Sequence, residues 1–159
     1  MVVKLIIFDC DYTLWPFNAQ GFLPFTKKKN TIVDTRGKSY VPYPEVDAII
    51  HHLGEQCKYK LAAASLNPNA EVVKGLISAF QWGKYFVQIE SYMSPSKKTH
   101  LRKISRNQKI NAEDMLFFDD NPLNVADAKD LGVRSYLVKG PLKLDFVISA
   151  LNRENTTYT

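Results

Sequence analysis

The chain has 159 residues, and its 21 Lys and Arg exceed its 16 Asp and Glu, which gives a formal net charge of +5 at pH 7. Hydrophobic residues make up 45% of the chain and charged residues 23%, a composition typical of globular proteins that excludes a disordered or fibrous chain. No apolar run approaches the roughly 20 residues that a membrane helix needs, and the length favours a single domain over residues 1–159. We therefore expect a soluble cytoplasmic protein without a membrane partner.

Apolar runs alternate with segments of helical spacing along most of the chain. The runs that predict buried strands lie, in chain order, at residues 2–8, 61–64, 85–89, 115–118 and 135–138. The helical segments begin near Pro44, Pro68, Ser96, Pro122 and Leu144. Asn67 is the predicted N-cap before the helix at Pro68, either Asp120 or Asn121 is the predicted N-cap before the helix at Pro122, and Gly132 is a predicted helix end. The alternation predicts an α/β fold, namely a Rossmann-like open parallel sheet with helices on both faces.

Residues 16–43 interrupt this alternation after the first strand. The segment is rich in Pro, Gly, Lys and Thr, and it contains short β-prone pieces at 31–33 and 39–41. These features predict an inserted β-hairpin flap. The aromatic residues expected to pack the flap onto the body of the protein, in preference to packing on a substrate, are Phe17, Phe22, Phe25 and Tyr43. At the end of the chain, residues 155–159 are predicted to form a loose tail.

The positive excess is concentrated in one segment. Residues 91–112 contain six basic residues and no acidic one, and without them 15 basic residues face 16 acidic residues. The six are Lys97, Lys98, Arg102, Lys103, Arg106 and Lys109. Such a segment is consistent with a solvated helix face, with a positive rim beside a site for an anionic substrate, or with a nucleic-acid contact.

Polar residues follow the predicted strands at the points where the strands end. They are Asp9 and Asp11 after the first strand, Ser65 after the second, Lys97 after the third, and Asp119 and Asp120 after the fourth. Because ligands of open α/β sheets bind at the carboxyl ends of the strands, we expect these side chains to converge. Neighbouring carboxylates repel one another unless a cation lies between them, and Mg²⁺ prefers a few carboxylates together with waters and phosphate oxygens. The pattern predicts a Mg²⁺ site at this edge of the sheet, although any single Asp there could instead cap a helix.

Four segments, in the same order, resemble the motifs of the haloacid-dehalogenase (HAD) superfamily. Residues 9–13 read Asp-x-Asp-x-Thr, and the extension to Trp15 and Pro16 is similar to the magnesium-dependent phosphatase family of acid phosphatases within it. The other three motifs are matched at residues 62–65, at Lys97 with Thr99 and His100, and at residues 117–121 with Asn124. The resemblance spans about residues 4–138 and implies a phosphatase.

The resemblance also implies a role for each matched residue. Asp9 would be the nucleophile that forms an aspartyl-phosphate intermediate, and Asp11 would act first as general acid and then as general base. Lys97 would neutralise charge on the nucleophile and on the phosphoryl group, and this assignment is preferred to the neighbouring Lys98. The implied substrate-binding residues are Cys10 and Asp11 through their backbone N–H groups, Ser65, Leu66 and Lys97. Thr13 is expected to be a structural hydroxyl.

The implied cofactor is Mg²⁺. Asp9 and Asp120 would bind the ion through their carboxylates, and Asp11 would bind it through its backbone carbonyl. Asp119 would either bind the ion directly or support the residues that do. These four positions are the predicted metal site.

Two departures from the family pattern bear on the substrate. Leu66 stands where an Arg commonly follows the second-motif Ser, and Asn18 replaces an expected aromatic residue. The flap is also too short to be a separate cap domain, so the resemblance implies an open cleft. We expect a phosphorylated small molecule or a phosphoprotein as substrate, and both phosphotyrosine-like and sugar-phosphate groups remain open.

Other functions receive less support from the sequence. A cysteine phosphatase needs an Arg six positions after its nucleophile, whereas Pro16 follows Cys10 and Ala63 follows Cys57 at that spacing. A receiver domain would carry its phosphorylated Asp on a middle strand, which here ends in Ser65. A basic nucleic-acid-associated protein or end-phosphatase, and a catalytically silent binding module, remain as alternatives, with nucleic acid the less favoured partner. The sequence does not indicate an oligomeric state.

Overall fold

The computed structural model describes residues 2–22 and 24–156, and a five-stranded parallel sheet lies at its centre. Its strands are β1 (Leu5–Phe8), β5 (Lys60–Ser65), β6 (Phe86–Ser91), β7 (Met115–Asp119) and β8 (Arg134–Leu137). They lie side by side in the order β6-β5-β1-β7-β8, and Ile6 of β1 is in register with Leu61 of β5 and Leu116 of β7. The Rossmann-like parallel sheet predicted from the sequence is confirmed.

Helices cover both faces of this sheet. They are α1 (Val46–His51), α2 (Ala70–Ala79), α3 (Lys98–Gln108), α4 (Pro122–Leu131) and α5 (Leu144–Asn155). A π-helical turn over His52–Gln56 continues α1, and a 3₁₀ turn over Ala112–Asp114 precedes β7. Because side chains alternate along a strand, Ile6 and Phe8 of β1 pack in the cluster formed with α1, α2 and α5. Leu5 and Ile7 pack on the other face with α3 and α4. Every residue of β1 and β7 is buried, which explains why both strands read as continuous apolar runs.

Two helix boundaries agree with the sequence and one does not. The Asn121 side chain accepts a hydrogen bond from the backbone N–H of Leu123 at the start of α4, and Gly132 ends that helix with a φ of +94°. The predicted N-cap at Asn67 is wrong, because α2 begins only at Ala70 and is capped by Asn69. Pro68 therefore precedes the cap instead of occupying the first helical position.

The flap is a small antiparallel sheet of three strands. They are β2 (Thr26–Lys28), β3 (Thr31–Val33) and β4 (Ser39–Tyr40), in that order. The sequence predicted the last two but not β2, whose three residues are all exposed and carry no apolar alternation. The predicted aromatic packing is present: the Phe17 ring stacks on the ring of Trp15 at 5.8 Å, and Phe22, Phe25 and Tyr43 pack against the core cluster that contains Phe17.

The C-terminal helix extends further than predicted. Asn155, where the loose tail was expected to start, is the last residue of α5. Its Oδ1 accepts a hydrogen bond from the backbone N–H of Val3 at 2.8 Å, and its Nδ2 donates to the hydroxyl of Tyr59 at 3.0 Å. Residues 157–159 of the predicted tail lie outside the described residues. Across the described residues, no helix is both long and apolar enough to cross a membrane. The single domain over residues 1–159 stays a prediction.

Candidate active site

A cleft of about 380 Å³ opens at the carboxyl ends of the central strands. From β1 the chain builds β5 and β6 on one side of the sheet and then β7 and β8 on the other, so the cleft lies where the strand order reverses. The residues that line it are Asp9, Asp11, Tyr12, Asn18, Gln20, Ser65, Leu66, Asn67, Pro68, Met93, Lys97, Asp120, Asn121 and Asn124. The predicted site residues therefore converge, except that the side chains of Cys10 and Asp119 are fully buried beneath the cleft.

Lys97 connects the strands of the site. It is the residue before α3, and its side chain is fully buried. Its Nζ donates hydrogen bonds to Asp9 Oδ1 at 2.8 Å, to the carbonyl oxygen of Ala64 at 2.6 Å and to Asp119 Oδ2 at 3.0 Å. Burial alone would lower the pKa of Lys97, but the two carboxylates outweigh it and raise that pKa, so the ammonium stays charged.

Lys98 does not enter the cleft. Its ammonium forms an ion pair with Asp130, on the face of the protein where α3 and α4 meet. Of the two neighbouring lysines, the structure therefore places Lys97 beside the acidic residues, as preferred from the sequence. Because Nζ of Lys97 reaches across from α3 to β1 and β7, it fixes the carboxylates of both strands relative to one another.

Three carboxylates form one cluster. Oxygen atoms of Asp9, Asp119 and Asp120 lie within 4.8 Å of one another. Burial, followed by the nearby Asp9 carboxylate, raises the pKa of Asp120 to about 7 and also raises the pKa of Asp119. Three carboxylates beside one ammonium are under-neutralised, and this donor set fits Mg²⁺, which takes carboxylate oxygens and keeps room for waters and phosphate oxygens.

The oxygens of Asp119 already have donors. Its Oδ1 accepts from the backbone N–H of Asn121 at 2.9 Å, and its Oδ2 accepts from Lys97 and from Asn124 Nδ2 at 3.1 Å. Asp120 lines the cleft and is only half-buried, so its carboxylate is the more accessible of the two. The geometry favours Asp120 as a direct metal ligand and Asp119 as the residue that orients Lys97.

The chain turns tightly after β1. Tyr12 has a φ of +62°, in the left-handed region, and its backbone N–H donates to the carbonyl of Trp15 at 2.7 Å. The backbone N–H of Thr13 donates to the carbonyl of Cys10 at 3.0 Å. The turn brings the side chains that follow the two aspartates back onto those aspartates.

Two contacts made by this turn hold the aspartates. The Thr13 hydroxyl donates to Asp9 Oδ2 at 3.0 Å. The Trp15 indole N–H and the backbone N–H of Ala19 both donate to Asp11 Oδ1, at 2.7 and 3.1 Å. Burial raises the pKa of Asp11, and since Oδ1 already accepts two hydrogen bonds, a proton on this carboxyl belongs on Oδ2.

These supporting contacts were missed in the sequence. Thr13 was expected to be structural, and Trp15 was considered as part of the extension of the first motif. Trp15 is fully buried, but its indole N–H serves Asp11. In both pairs the donor lies four residues after its aspartate, and that spacing was the available signal.

Ser65 and Cys10 differ in how they reach the cleft. Ser65 lies at the end of β5, and its Oγ accepts a hydrogen bond from the backbone N–H of Asn67 at 3.1 Å. Among the described residues its hydroxyl proton has no acceptor, so it can be donated to a ligand. Burial raises the pKa of the Cys10 thiol, which faces the core, and only the backbone N–H of Cys10 is therefore a candidate for substrate binding.

Comparison with known proteins identifies the family of this chain. A model of the acid phosphatase family matches residues 1–156. The chain belongs to the acid phosphatase family. This finding confirms the resemblance to magnesium-dependent acid phosphatases of the HAD superfamily that the sequence motifs indicated.

Individual relatives of this acid phosphatase agree with that assignment. The chain is 34% identical to magnesium-dependent phosphatase 1 of Homo sapiens, over 93% of this chain and 85% of the relative. It is 28% identical to a HAD-like hydrolase superfamily protein of Schizosaccharomyces pombe, over 82% of each chain. A haloacid dehalogenase-like protein of Streptococcus pneumoniae is 11% identical and shares the fold with a TM-score of 0.65, over 96% of this chain and 91% of that chain.

Proposed function

We propose that this acid phosphatase is a magnesium-dependent phosphomonoesterase that works through an aspartyl-phosphate on Asp9. The observation that carries the proposal is the buried ammonium of Lys97, which holds Asp9 next to Asp119 and Asp120 at the floor of the cleft. Phosphoryl transfer depends mostly on positioning and on charge stabilisation, and this arrangement supplies both. The relative named as a magnesium-dependent phosphatase supports the same activity.

Three residues would hold the metal, and a fourth would support them. Asp9 and Asp120 offer carboxylate oxygens, Asp11 offers its backbone carbonyl by resemblance to the family, and Asp119 supports them from beneath. Bound Mg²⁺ would neutralise charge on the phosphoryl oxygens and on the carboxylates around it.

Asp9 and Asp11 would carry out the two chemical steps. An oxygen of Asp9 attacks phosphorus, the bond from phosphorus to the ester oxygen breaks, and the leaving oxygen takes the proton from Oδ2 of Asp11. A water molecule then attacks the phosphorus of the aspartyl-phosphate and gives a proton to Asp11. The bond from phosphorus to Asp9 breaks, which releases inorganic phosphate and restores the carboxylate.

Neighbouring groups would hold the phosphoryl group during both steps. Lys97 lies against Asp9 and offsets the charge that develops there. The Ser65 hydroxyl donates to a phosphoryl oxygen, and the backbone N–H groups of Cys10 and Asp11 are the other expected donors. Thr13 keeps the second oxygen of Asp9 in place.

The cleft supports substrates with an accessible phosphomonoester group. Its outer part is lined by Asn18 and Gln20 from the base of the flap and by the exposed side chains of Tyr12 and Met93. A phosphotyrosine-like group and a sugar phosphate both fit this mixed apolar and amide lining. The basic segment gives little support to nucleic-acid binding, because Lys98 and Lys103 form ion pairs with acidic residues. The cytoplasmic location stays a prediction.

A phosphatase panel with matched variants tests the proposal. Aryl phosphates, sugar phosphates, nucleotides and phosphopeptides are assayed with Mg²⁺ and with a chelator, using the wild type, Asp9→Asn and Asp145→Asn. Asp145 is an exposed residue of α5 outside the cleft, so its variant controls for the loss of one carboxylate. We expect hydrolysis that needs Mg²⁺, disappears in Asp9→Asn and persists in Asp145→Asn. Undiminished hydrolysis by Asp9→Asn would exclude the proposed mechanism.

A further inference from the structure

Asn67 is a rigid residue at the edge of the cleft. It is 5% exposed, and three of its polar groups have partners. Its backbone N–H donates to Ser65 Oγ at 3.1 Å, its carbonyl accepts from Ser91 Oγ at 2.8 Å, and its Oδ1 accepts from the backbone N–H of Asn69 at 2.9 Å. These contacts fix both its backbone and the rotation of its side chain.

The remaining polar group of Asn67 is a donor without a partner. The backbone N–H of Asn69 needs an acceptor, so the amide atom that faces it must be Oδ1. The other amide atom of Asn67 is therefore the donor Nδ2. Nδ2 is buried, and no described residue accepts a hydrogen bond from it. A buried amide donor is unfavourable when it is left unpaired, and Asn67 lines the cleft, so its Nδ2 is available to an acceptor in the cleft.

Asp11 supplies that acceptor. Both residues line the cleft, and the Asn67 side chain is close enough to lower the pKa of the Asp11 carboxyl. The Oδ1 of Asp11 is already occupied by the N–H groups of Trp15 and Ala19. Its Oδ2 accepts no hydrogen bond from any described residue, so a donor and an oxygen that both lack a partner belong to residues that line the same cleft.

We propose that Asn67 is a positioning residue for Asp11, whose Oδ2 accepts a hydrogen bond from Nδ2 of Asn67 when substrate is bound. With donors on both oxygens, the carboxyl can no longer rotate, and the proton on Oδ2 faces the leaving oxygen of the ester. The inference rests on the proposed function, because it needs Asp11 to be the general acid. Asn67 acts only through Asp11 and does not touch the reacting atoms.

The dependence on the leaving group distinguishes this role from others. An alkyl phosphate needs its leaving oxygen protonated, whereas 2,4-dinitrophenyl phosphate has a leaving group that departs without a proton. The ratio kcat/KM reports the steps up to the first phosphoryl transfer, before Asp11 acts as a base. General acid catalysis increases the reaction rate by about 10²- to 10⁴-fold. A misaligned Asp11 should therefore lower kcat/KM by a part of that factor, and only on the alkyl substrate.

The experiment compares Asn67→Ser with the wild type on glycerol phosphate and on 2,4-dinitrophenyl phosphate, in saturating Mg²⁺. Serine keeps a side-chain oxygen for the N–H of Asn69 but has no donor at the position of Nδ2. We expect kcat/KM to fall about 10- to 100-fold on glycerol phosphate and less than about threefold on the dinitrophenyl ester. In the Asp11→Asn background the same substitution should have no further effect on glycerol phosphate.

Two controls keep the result specific. Asn69→Ser makes the same change two residues away, preserves a capping side chain for α2 and should leave the ratio between the two substrates unchanged. Asn67→Thr likewise keeps a side-chain oxygen for the N–H of Asn69 and adds no charge to the cleft, and it replaces Asn67→Ser if that variant does not fold.

Two outcomes would overturn the inference. An equal loss on both substrates, with weaker inhibition by inorganic phosphate, would mean that Nδ2 contacts the phosphoryl group instead of Asp11. No loss on either substrate would mean that Asn67 has no role in the reaction. Failure of the proposed function has a different signature, an Asp9→Asn variant as active as the wild type, and that result would overturn both.

Discussion

The buried ammonium of Lys97 gives the most quantitative prediction, through the variant Lys97→Met. Methionine has a similar length and leaves Asp9, Asp119 and the Ala64 carbonyl without their shared donor. Removing one partner of a buried ion pair costs about 3–5 kcal/mol, and a buried carbonyl left without its donor adds about 1–3 kcal/mol. Since a domain is stable by only about 5–15 kcal/mol, the metal-free variant should lose a large part of its stability.

Part of that cost can be relieved by protons or by metal. Lys97→Met leaves Asp119 without its ammonium, the pKa of Asp119 is already raised by burial, and the neighbouring Asp120 has a pKa of about 7, so lowering the pH reduces the uncompensated charge of the cluster. We therefore expect a loss of at least about 3 kcal/mol in the free energy of unfolding at pH 8 with a chelator, and a smaller loss at pH 5.5 or in Mg²⁺. Urea unfolding followed by circular dichroism measures all three conditions.

A matched variant at the surface provides the comparison. Lys143 Nζ lies 3.1 Å from Glu45, with side chains 57% and 40% exposed, so Lys143→Met should cost less than about 1 kcal/mol. The reasoning would be refuted if Lys97→Met lowered the free energy of unfolding by no more than Lys143→Met does. If Lys97→Met does not fold, the double variant Lys97→Met with Asp119→Asn removes one of the carboxylates that have lost their ammonium, and this double variant should fold. A double variant that does not fold would also refute the reasoning.

Other residues of the site make separate predictions about pH, metal and substrate. Because the pKa of Asp120 is raised, the folded, metal-free protein holds a proton that the unfolded chain has already released, so its stability should decrease as the pH rises through about 7. Urea unfolding with a chelator measures this decrease, and Asp120→Asn should remove it. Because Mg²⁺ competes with that proton, calorimetry should show tighter Mg²⁺ binding at pH 8 than at pH 6; equal affinities would contradict the assignment. Trp15→Phe removes the indole donor from Asp11 and should lower kcat/KM on an alkyl phosphate about tenfold, as expected for one hydrogen bond to a charged group. Leu66→Arg restores the cation common in the family and should lower KM for at least one phosphoester of the panel, and no change across the panel would reject this prediction.

The fold was predictable because its strongest signals are local. The two central strands are buried on both faces, so β1 and β7 appear in the sequence as uninterrupted apolar runs. Two elements were misjudged where local signals conflict or are missing. Asn67 and Asn69 are both suitable caps, and only the packed structure shows that the helix starts after the second. The lysine-rich strand β2 has no buried residue and no alternation that would mark it as a strand.

The candidate site was predictable to the extent that it depends on strand ends. Asp9, Ser65 and Asp120 follow strands whose carboxyl ends must meet at one edge of a parallel sheet. The contacts that orient Asp9 and Asp11 depend on the backbone of the tight turn at Tyr12, whose positive φ no periodicity reveals. For the same reason, the amide of Asn67 appeared in the sequence only as a helix cap.

The positive charge is less available for attracting substrate than its sequence position suggests. Lys97 is buried against carboxylates, and Lys98 and Lys103 each pair with an acidic residue. The attraction of dianionic phosphoesters by the basic segment at residues 91–112 stays a prediction. A weak dependence of kcat/KM on salt concentration would indicate that the buried ammonium, and not the surface charge, provides most of the attraction.

The central claim is that Asp9 carries the phosphoryl group, and an acid-quench experiment tests it most directly. The enzyme is mixed with excess 2,4-dinitrophenyl phosphate and Mg²⁺ and quenched in acid within one turnover, and its peptides are analysed by mass spectrometry. The account predicts one phosphoryl group on the peptide that contains Asp9, a larger fraction of it in Asp11→Asn, where the water attack lacks its base, and none in Asp9→Asn. Turnover without any phosphorylated peptide in either the wild type or Asp11→Asn would contradict the account.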